Sequence, residues 1–370
     1  MTNTRYVCRS RGYRLAVVIW AIFFLVSLLK LTPHVATWEV GIQGTPDLEL
    51  YRDLVSRVHD GSGYYDAADQ ALHANGFETN SPFNWRLPAY AVLLGQLETV
   101  ELARWLLLAL ALASVILVVR TIVAPVAGSF GQLLALLLLL GGTFGWVVYE
   151  PDAFFATEPW CEVLLLLSIC AYASGRWQWG MAAAVAGLAL RELMLPYCVV
   201  AFLIALKHRR RNEAIAWLVV FTLFAIGIYL HTQAVYRRVP QLNGLGTRQW
   251  LVGFDIRYSL LSSSMNLVVR PLPPTGWAIV LTLGLIGLGG WRGDIGHRMF
   301  ATAAVYVAAF CVVEARTYWG QFFAPLLMIG LINAPASLRD LVWPTRSPSG
   351  TIASTPNRNP DHAGDGPPAQ

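Results

Sequence analysis

Apolar runs long enough to cross a bilayer constrain this chain before any other feature. Ala214–Val235 contains no Asp, Glu, Lys or Arg, and Gln132–Tyr149 contains none either. About 20 apolar residues span roughly 30 Å of hydrocarbon as a helix. In lipid every backbone polar group must be paired internally, so only helices or closed barrels cross. The runs are continuous rather than alternating, which selects helices over a barrel. Composition agrees: 56% of the 370 residues are hydrophobic and 13% charged, with mean hydropathy +0.51. A soluble domain is nearer about one quarter charged. The expected fold class is an all-α polytopic membrane protein.

About ten transmembrane helices are expected, within a range of eight to eleven. The first five segments are Leu15–Leu31, Leu102–Val123, Gln132–Tyr149, Trp160–Ala173 and Gly180–Leu193. The others are Leu195–Leu206, Ala214–Val235, Gly276–Trp291, Met299–Val313 and Trp319–Asn333. Leu87–Leu97 is too short to span and reads as an amphipathic helix lying flat in the interface.

Lys and Arg set orientation. Arg5, Arg9, Arg11 and Arg14 precede the first span, and the basic run Lys207–Arg211 falls on the same side if six spans separate them. That side is expected to be cytoplasmic. Residues 1–14 then form a basic cytoplasmic N-terminus leading into a retained first helix. Residues 15–333 form the transmembrane domain, with outer loops 37–101 and 236–275. Residues 334–370 form a cytoplasmic tail whose Pro, Ser, Thr, Gly and Asn content predicts disorder after about residue 344. The five cysteines show no CxxC or Cys/His ligand spacing, so they read as packing residues. No interleaved basic and aromatic patch suggests nucleic acid.

Acids gather in the outer segments. Thr37–Arg86 carries eight acids against three arginines. Its start, TPDLELY, reads as a helix N-terminus. Pro46 suits the first turn, Thr45 the cap, and Asp47 the positive end of the helix dipole. Apolar residues at 48, 51, 55 and 58 then mark an amphipathic helix that stops at Gly61. The competing reading of Asp47 is an acid that only starts a helix. The second outer turn, YEPDAFFATEPWCE, offers Asp152, Glu158 and Glu162. Thr157 is expected as an N-cap, placing Glu158 at the helix start and Glu162 one turn later on the same face. Carboxylates near membrane depth are costly, which makes them functional candidates. Arg191 and Glu192 interrupt an apolar run, either neutralising each other or lining a cavity. Arg316 lies in the last outer turn, ahead of aromatics, and an arginine grips a phosphate bidentately.

The order of these parts resembles the GT-C superfamily of integral-membrane glycosyltransferases that use polyprenyl-phosphate sugars. The similarity is to the branch with protein O-mannosyltransferases and the aminoarabinose transferase of lipid A. It rests on Pro46, Asp47 and Tyr51 after the first span, and on RLPAY with Arg86 at an interfacial helix. EPDAFFATEP before a span, Arg191 before a Pro-containing helix, and Arg316 ahead of FFAP complete it. The family's second acid is commonly Asp, where this chain offers Glu158 or Asp152, and the family often has Lys where this chain has Arg191.

The resemblance implies sugar transfer from a polyprenyl-phosphate donor to a lipid, glycan or protein acceptor on the outer face of a bacterial inner membrane. It implies Asp47, Glu158 or Asp152 as the catalytic carboxylate. Arg316, Arg191, Arg86, Tyr51 and Glu162 are the implied residues for donor phosphate and substrate. No metal ligand set is specific, although the outer carboxylates could hold a divalent ion. A transporter or lipid flippase, and a non-catalytic scaffold, are the alternative readings.

Overall fold

The computed structural model describes residues 4–36, 46–239, 253–313 and 315–343. Thr45 as a cap, Glu314, the middle of loop 236–275 and the tail after residue 344 lie outside the described residues. Each apolar segment folds as a helix, and no strand occurs among the described residues. The protein is an all-α polytopic membrane protein. The N-terminal part carries α1 (Arg11–Ala36), α2 (Pro46–His59), α3 (Tyr64–Ala74) and α4 (Pro88–Gly95). Next come α5 (Glu101–Val118), α6 (Ser129–Leu139) and α7 (Gly145–Tyr149). They are followed by α8 (Thr157–Ala173), α9 (Trp177–Leu190), α10 (Leu195–Lys207) and α11 (Arg211–Tyr236). The last four are α12 (Arg257–Ser262), α13 (Pro274–Gly290), α14 (Gly293–Phe310) and α15 (Ala324–Val342).

Five described helical stretches are long and apolar enough to cross a membrane: Arg11–Val35, Glu101–Val123, Ser129–Tyr149, Arg211–Tyr236 and Ala324–Val342. Pro274–Gly290 is a shorter apolar helix. The other four segments counted as spans are helices of 13 to 18 residues. At 1.5 Å per residue, 14 residues reach only about 21 Å, so α9 and α10 fall short of the hydrocarbon thickness. The turn between them, Arg191–Met194, lies inside the bundle.

Helices α2 to α4 follow the first span and obey their sequence periodicity. α2 stops where Gly61 takes φ +93, a left-handed value that glycine adopts without a Cβ penalty. Its buried stripe is Leu50, Tyr51, Leu54 and Val55, broader than the 48/51/55/58 pattern expected. These side chains pack with Tyr64, Trp85, Tyr90 and Leu94 and with Ala103 and Leu107 of α5. α4 closes on α2 through Gly95, where a Cβ would press on Val58 and the backbone of His59. Helices α2 to α4 therefore form a packed layer over the end of the bundle. Full burial of each large apolar side chain contributes about 1.5–3 kcal/mol.

A π turn, Leu140–Phe144, interrupts the stretch from α6 to α7. It leaves carbonyls outside the regular ladder, as π turns do. The segment after α12 answers them: Leu267 N donates to Gly141 O at 2.9 Å, and Asn266 Nδ2 to Leu138 O at 2.8 Å.

The main core forms where α13 and α15 cross. Gly284, Gly287 and Gly330 let the two backbones touch, since a Cβ on Gly287 would collide with the Gly330 carbonyl. Small residues at such crossings supply the van der Waals contact that holds helices together in lipid. Asn333 Nδ2 donates to Gly287 O at 2.9 Å and ties the same crossing. Gly227 on α11, by contrast, has open space around it. Gly287→Ala should therefore destabilise by about 1–3 kcal/mol through overpacking, read as a lower thermal midpoint in detergent. Gly227→Ala should leave that midpoint unchanged or slightly higher. Equal midpoints for the two variants would mean the crossing is not tight.

Candidate active site

The hydroxyl of Tyr51 is the meeting point of two guanidinium groups. It lies one turn after the start of α2 and is 1% exposed. It accepts from Arg86 Nε at 2.7 Å and from Arg191 Nη1 at 3.1 Å. Burial pushes the pKa of its phenol up, against the pull of Arg86 and Arg191. It therefore stays a neutral phenol that accepts twice. The Arg86 guanidinium also stands 5.8 Å from the Tyr51 ring centroid, in cation–π range. Tyr64 donates to the Arg86 carbonyl and fixes the backbone before α4.

Arg191 closes α9 in an extended conformation, with φ −151 and ψ 128. The chain then makes a 3-10 turn, Glu192–Met194, and enters α10 through Pro196 in its first turn. This break aims the guanidinium at the first turn of α8. There Arg191 Nη2 meets Glu158 Oε1 at 2.9 Å, with both side chains essentially fully buried. Nη1 also donates to Thr157 Oγ1 at 3.2 Å, and the guanidinium lies 5.8 Å from the Trp319 ring centroid. Glu158 and Thr157 fall in the first turn, where the helix dipole favours the carboxylate. The cap is Ala156 rather than Thr157, and the Thr157 hydroxyl donates instead to Glu158 Oε2 at 3.1 Å. The extended backbone of Ala156 lets the helix begin there without a side-chain cap.

Glu192 extends the charge network. It lies 3.7 Å from Arg191 Nε and 4.0 Å from Arg86 Nη1. The pair Arg191–Glu192 thus neither neutralises itself alone nor stands free. Arg191 takes its closest charge partner from α8, and Glu192 shares both arginines.

Asp47 differs from the other acids. It sits in the first turn of α2, half-buried, and accepts a hydrogen bond from the Tyr318 hydroxyl. Among the described residues it forms no ion pair. Burial drives the Tyr318 phenol well up, so it donates and does not ionise. Asp47 therefore keeps a carboxylate that no described arginine holds, whereas Glu158 faces a buried arginine at contact distance.

Asp152 is held at the rim by Arg52, whose guanidinium also stands 5.7 Å from the Phe155 ring centroid. Glu162 lies deeper along α8 and accepts from Thr143 Oγ1 at 2.6 Å, in the π turn. Arg316 is exposed. It caps the 3-10 turn Thr317–Phe322, which carries Tyr318 and Trp319, and its carbonyl accepts from the Trp319 N–H at 3.0 Å. The structure brings Tyr51, Arg86, Arg191 and Glu158 into one network and sets Asp47 beside it through Tyr318. Asp152, Glu162 and Arg316 stand at its margins. Among the described residues no group of three His, Cys, Asp or Glu side chains could hold a metal ion.

Sequence reasoning missed Tyr318, Trp319, Thr157 and Arg52 as partners. The aromatic pair directly after Arg316 was a visible signal for the first two. Nothing in the local sequence marked Arg52 as the partner of Asp152.

The buried pair yields a direct test. Removing one charge strands the other, at a cost of about 3–5 kcal/mol. Glu158→Gln and Arg191→Met should each lower the thermal midpoint strongly. The double variant should cost clearly less than the two single losses added together. Strict additivity would show that the pair is not coupled.

No family model and no curated protein sequence matches the chain. Among solved structures it is similar to the crystal structure of ArnT from Cupriavidus metallidurans in the apo state, at 14% identity and a TM-score of 0.47. The match covers 87% of this chain and 60% of that one, so the chain spans well under two thirds of ArnT's length.

Proposed function

We propose that the chain is a membrane glycosyltransferase moving a sugar from a polyprenyl-phosphate donor to a lipid, glycan or protein acceptor at the outer face of the membrane. The observation that supports this reading is the separation of roles among the charged groups. One carboxylate, Asp47, keeps free acceptor capacity beside a network of two arginines whose own carboxylates are already paired. An exposed arginine, Arg316, caps the turn carrying the tyrosine that holds that carboxylate.

The chemistry is a single displacement. Asp47 takes the proton of the acceptor hydroxyl or amine as that atom bonds to the anomeric carbon. The bond from that carbon to the phosphate oxygen breaks, and the polyprenyl phosphate leaves with the electron pair. Arg316 receives the phosphate, and Arg86 and Arg191 stabilise charge developing on it. Tyr51 keeps the two buried guanidinium groups apart at fixed geometry. Tyr318 orients the Asp47 carboxylate.

Purified protein incubated with a panel of labelled polyprenyl-phosphate sugars tests the activity. Asp47→Asn keeps shape and removes the proton acceptor, so transfer should fall about 10²–10⁴-fold while donor binding persists. Transfer at the parental rate would move the role of base to Glu158. Arg316→Lys should weaken donor binding by losing the bidentate fork, and Arg316→Ala should weaken it further. Unchanged donor affinity in Arg316→Ala would remove that residue from the site.

The outer placement of this layer has its own test. Cys8 is the exposed native thiol and the other four are buried. In a Cys8→Ser background, Ser62→Cys should react with an impermeant thiol reagent in intact cells. Reaction only after lysis would reverse the orientation.

A further inference from the structure

At the opposite end of the bundle lies a second buried charge cluster that the proposed reaction does not use. α8 runs from Thr157 to Ala173, so its two ends stand about 24 Å apart. Beyond Ala173 there is a cavity of about 280 Å³, lined by Tyr172, Arg210, Arg292, Gly293, Asp294 and Arg298 among others. That volume lies near the lower end of small-molecule sites. The basic run Lys207–Arg211 ends at its wall.

Arg298 is the anchor of the cluster. It is 1% exposed, and its guanidinium stacks 3.6 Å from the Tyr172 ring centroid. Its one described carboxylate neighbour, Glu213, is 3.9 Å away and equally buried. Nε and Nη1 of Arg298 have no hydrogen-bond partner among the described residues. Buried guanidinium donors without partners are expensive, so the cavity beside them calls for an acceptor. The acids nearby do not satisfy them: Glu213 stands beyond hydrogen-bond reach with both its buried oxygens also unpartnered, and Asp294 is taken by other cations. Asp294 is bound by Arg210 at 2.5 Å and faces His208 at 3.1 Å, and Glu213 also lies 3.6 Å from Arg210. Arg292 reaches the rim, donating one hydrogen bond to the Thr4 carbonyl at 3.2 Å. Three arginines against two carboxylates leave the lining cationic. The first residues of α14 form one wall, and its N-cap makes no side-chain capping bond, so backbone N–H groups add to the positive end.

We infer that this cavity binds a phosphate-bearing anion, held by Arg298, Arg292 and the N-terminus of α14. Its position at a bundle end, beside a basic run, favours the headgroup of an anionic phospholipid. Basic pockets between membrane helices take such headgroups. Free phosphate shares the chemistry, and the experiment separates the two.

The purified protein is melted in a neutral detergent with phosphatidylglycerol, with phosphatidylcholine, or with inorganic phosphate. Phosphatidylglycerol should raise the midpoint and phosphatidylcholine should not. A rise with inorganic phosphate alone assigns the site to a soluble anion and still supports it. Glu213→Gln combined with Arg298→Gln removes the anchor without stranding a charge, and should weaken the apparent affinity about 10- to 100-fold. Arg292→Ala gives a milder loss and decides the matter if the double variant does not fold. Arg298→Lys should restore part of the affinity, since it keeps the charge. No ligand raising the midpoint, or equal rises in parent and variants, would overturn the inference. Failure here leaves the transferase reading untouched, because no residue is shared.

Discussion

The end of this structure that carries α2 to α4 depends on one buried ion pair, Arg191 with Glu158, and on the neutral phenol that shares the arginine. Taking two charges out of water is costly, and their attraction offsets that cost only when geometry is good and remaining donors are satisfied. Here the first condition is met by distance, 2.9 Å, but not by alignment. The facing atoms miss hydrogen-bond geometry, and Arg191 Nε and Nη2 lack hydrogen-bond partners. What completes the arginine is Tyr51 and Thr157 on one side and the Trp319 ring on the other. The pair is therefore not an isolated stability device. It welds α8, the α9–α10 break, α2 and the last outer turn into one rigid assembly.

That assembly explains why short helices appear in the middle of the chain. A helix that spanned fully would carry Arg191 past the end of α8. Ending α9 after 14 residues places the turn at the depth of the first turn of α8. The same economy of placement governs α6 and α7. Their π turn spends a regular hydrogen bond to open Gly141 and Leu138 to the segment at Asn266. It also turns Thr143 toward Glu162, so a buried carboxylate gains a donor from a defect in the neighbouring helix.

Much of this was legible in the sequence. The helices follow from continuous apolar runs, the stop of α2 from Gly61, and the first-turn positions of Asp47 and Glu158 from helix-start chemistry. Those signals are local, set by neighbours within a turn or two. The partners are not local. Arg191 finds Glu158 across 33 positions, Arg86 finds Tyr51 across 35, and Tyr318 finds Asp47 across 271. Periodicity cannot report such pairings, because tertiary packing alone chooses among several arginines and several acids. The exposed state of Arg316 was hidden for the same reason. A lone arginine before aromatics reads identically whether it points into a site or away from it.

Comparison of the two buried arginines shows what separates a finished network from an open one. Arg191 has a carboxylate at contact distance and two hydroxyl acceptors. Arg298 has an aromatic face at 3.6 Å, a carboxylate at 3.9 Å and two nitrogens without a hydrogen-bond partner, as many as Arg191, but it lines a cavity. Both are equally withdrawn from water, so burial alone does not distinguish them. The cavity beside Arg298 does. A guanidinium presents five donors in a fixed plane, and leaving most of them idle beside a cavity is stable only if another group enters to take them. Arg191 therefore belongs to the network that joins α2, α8 and the α9–α10 break, whereas Arg298 marks a place where the fold leaves room beside idle donors for a group it does not itself contain.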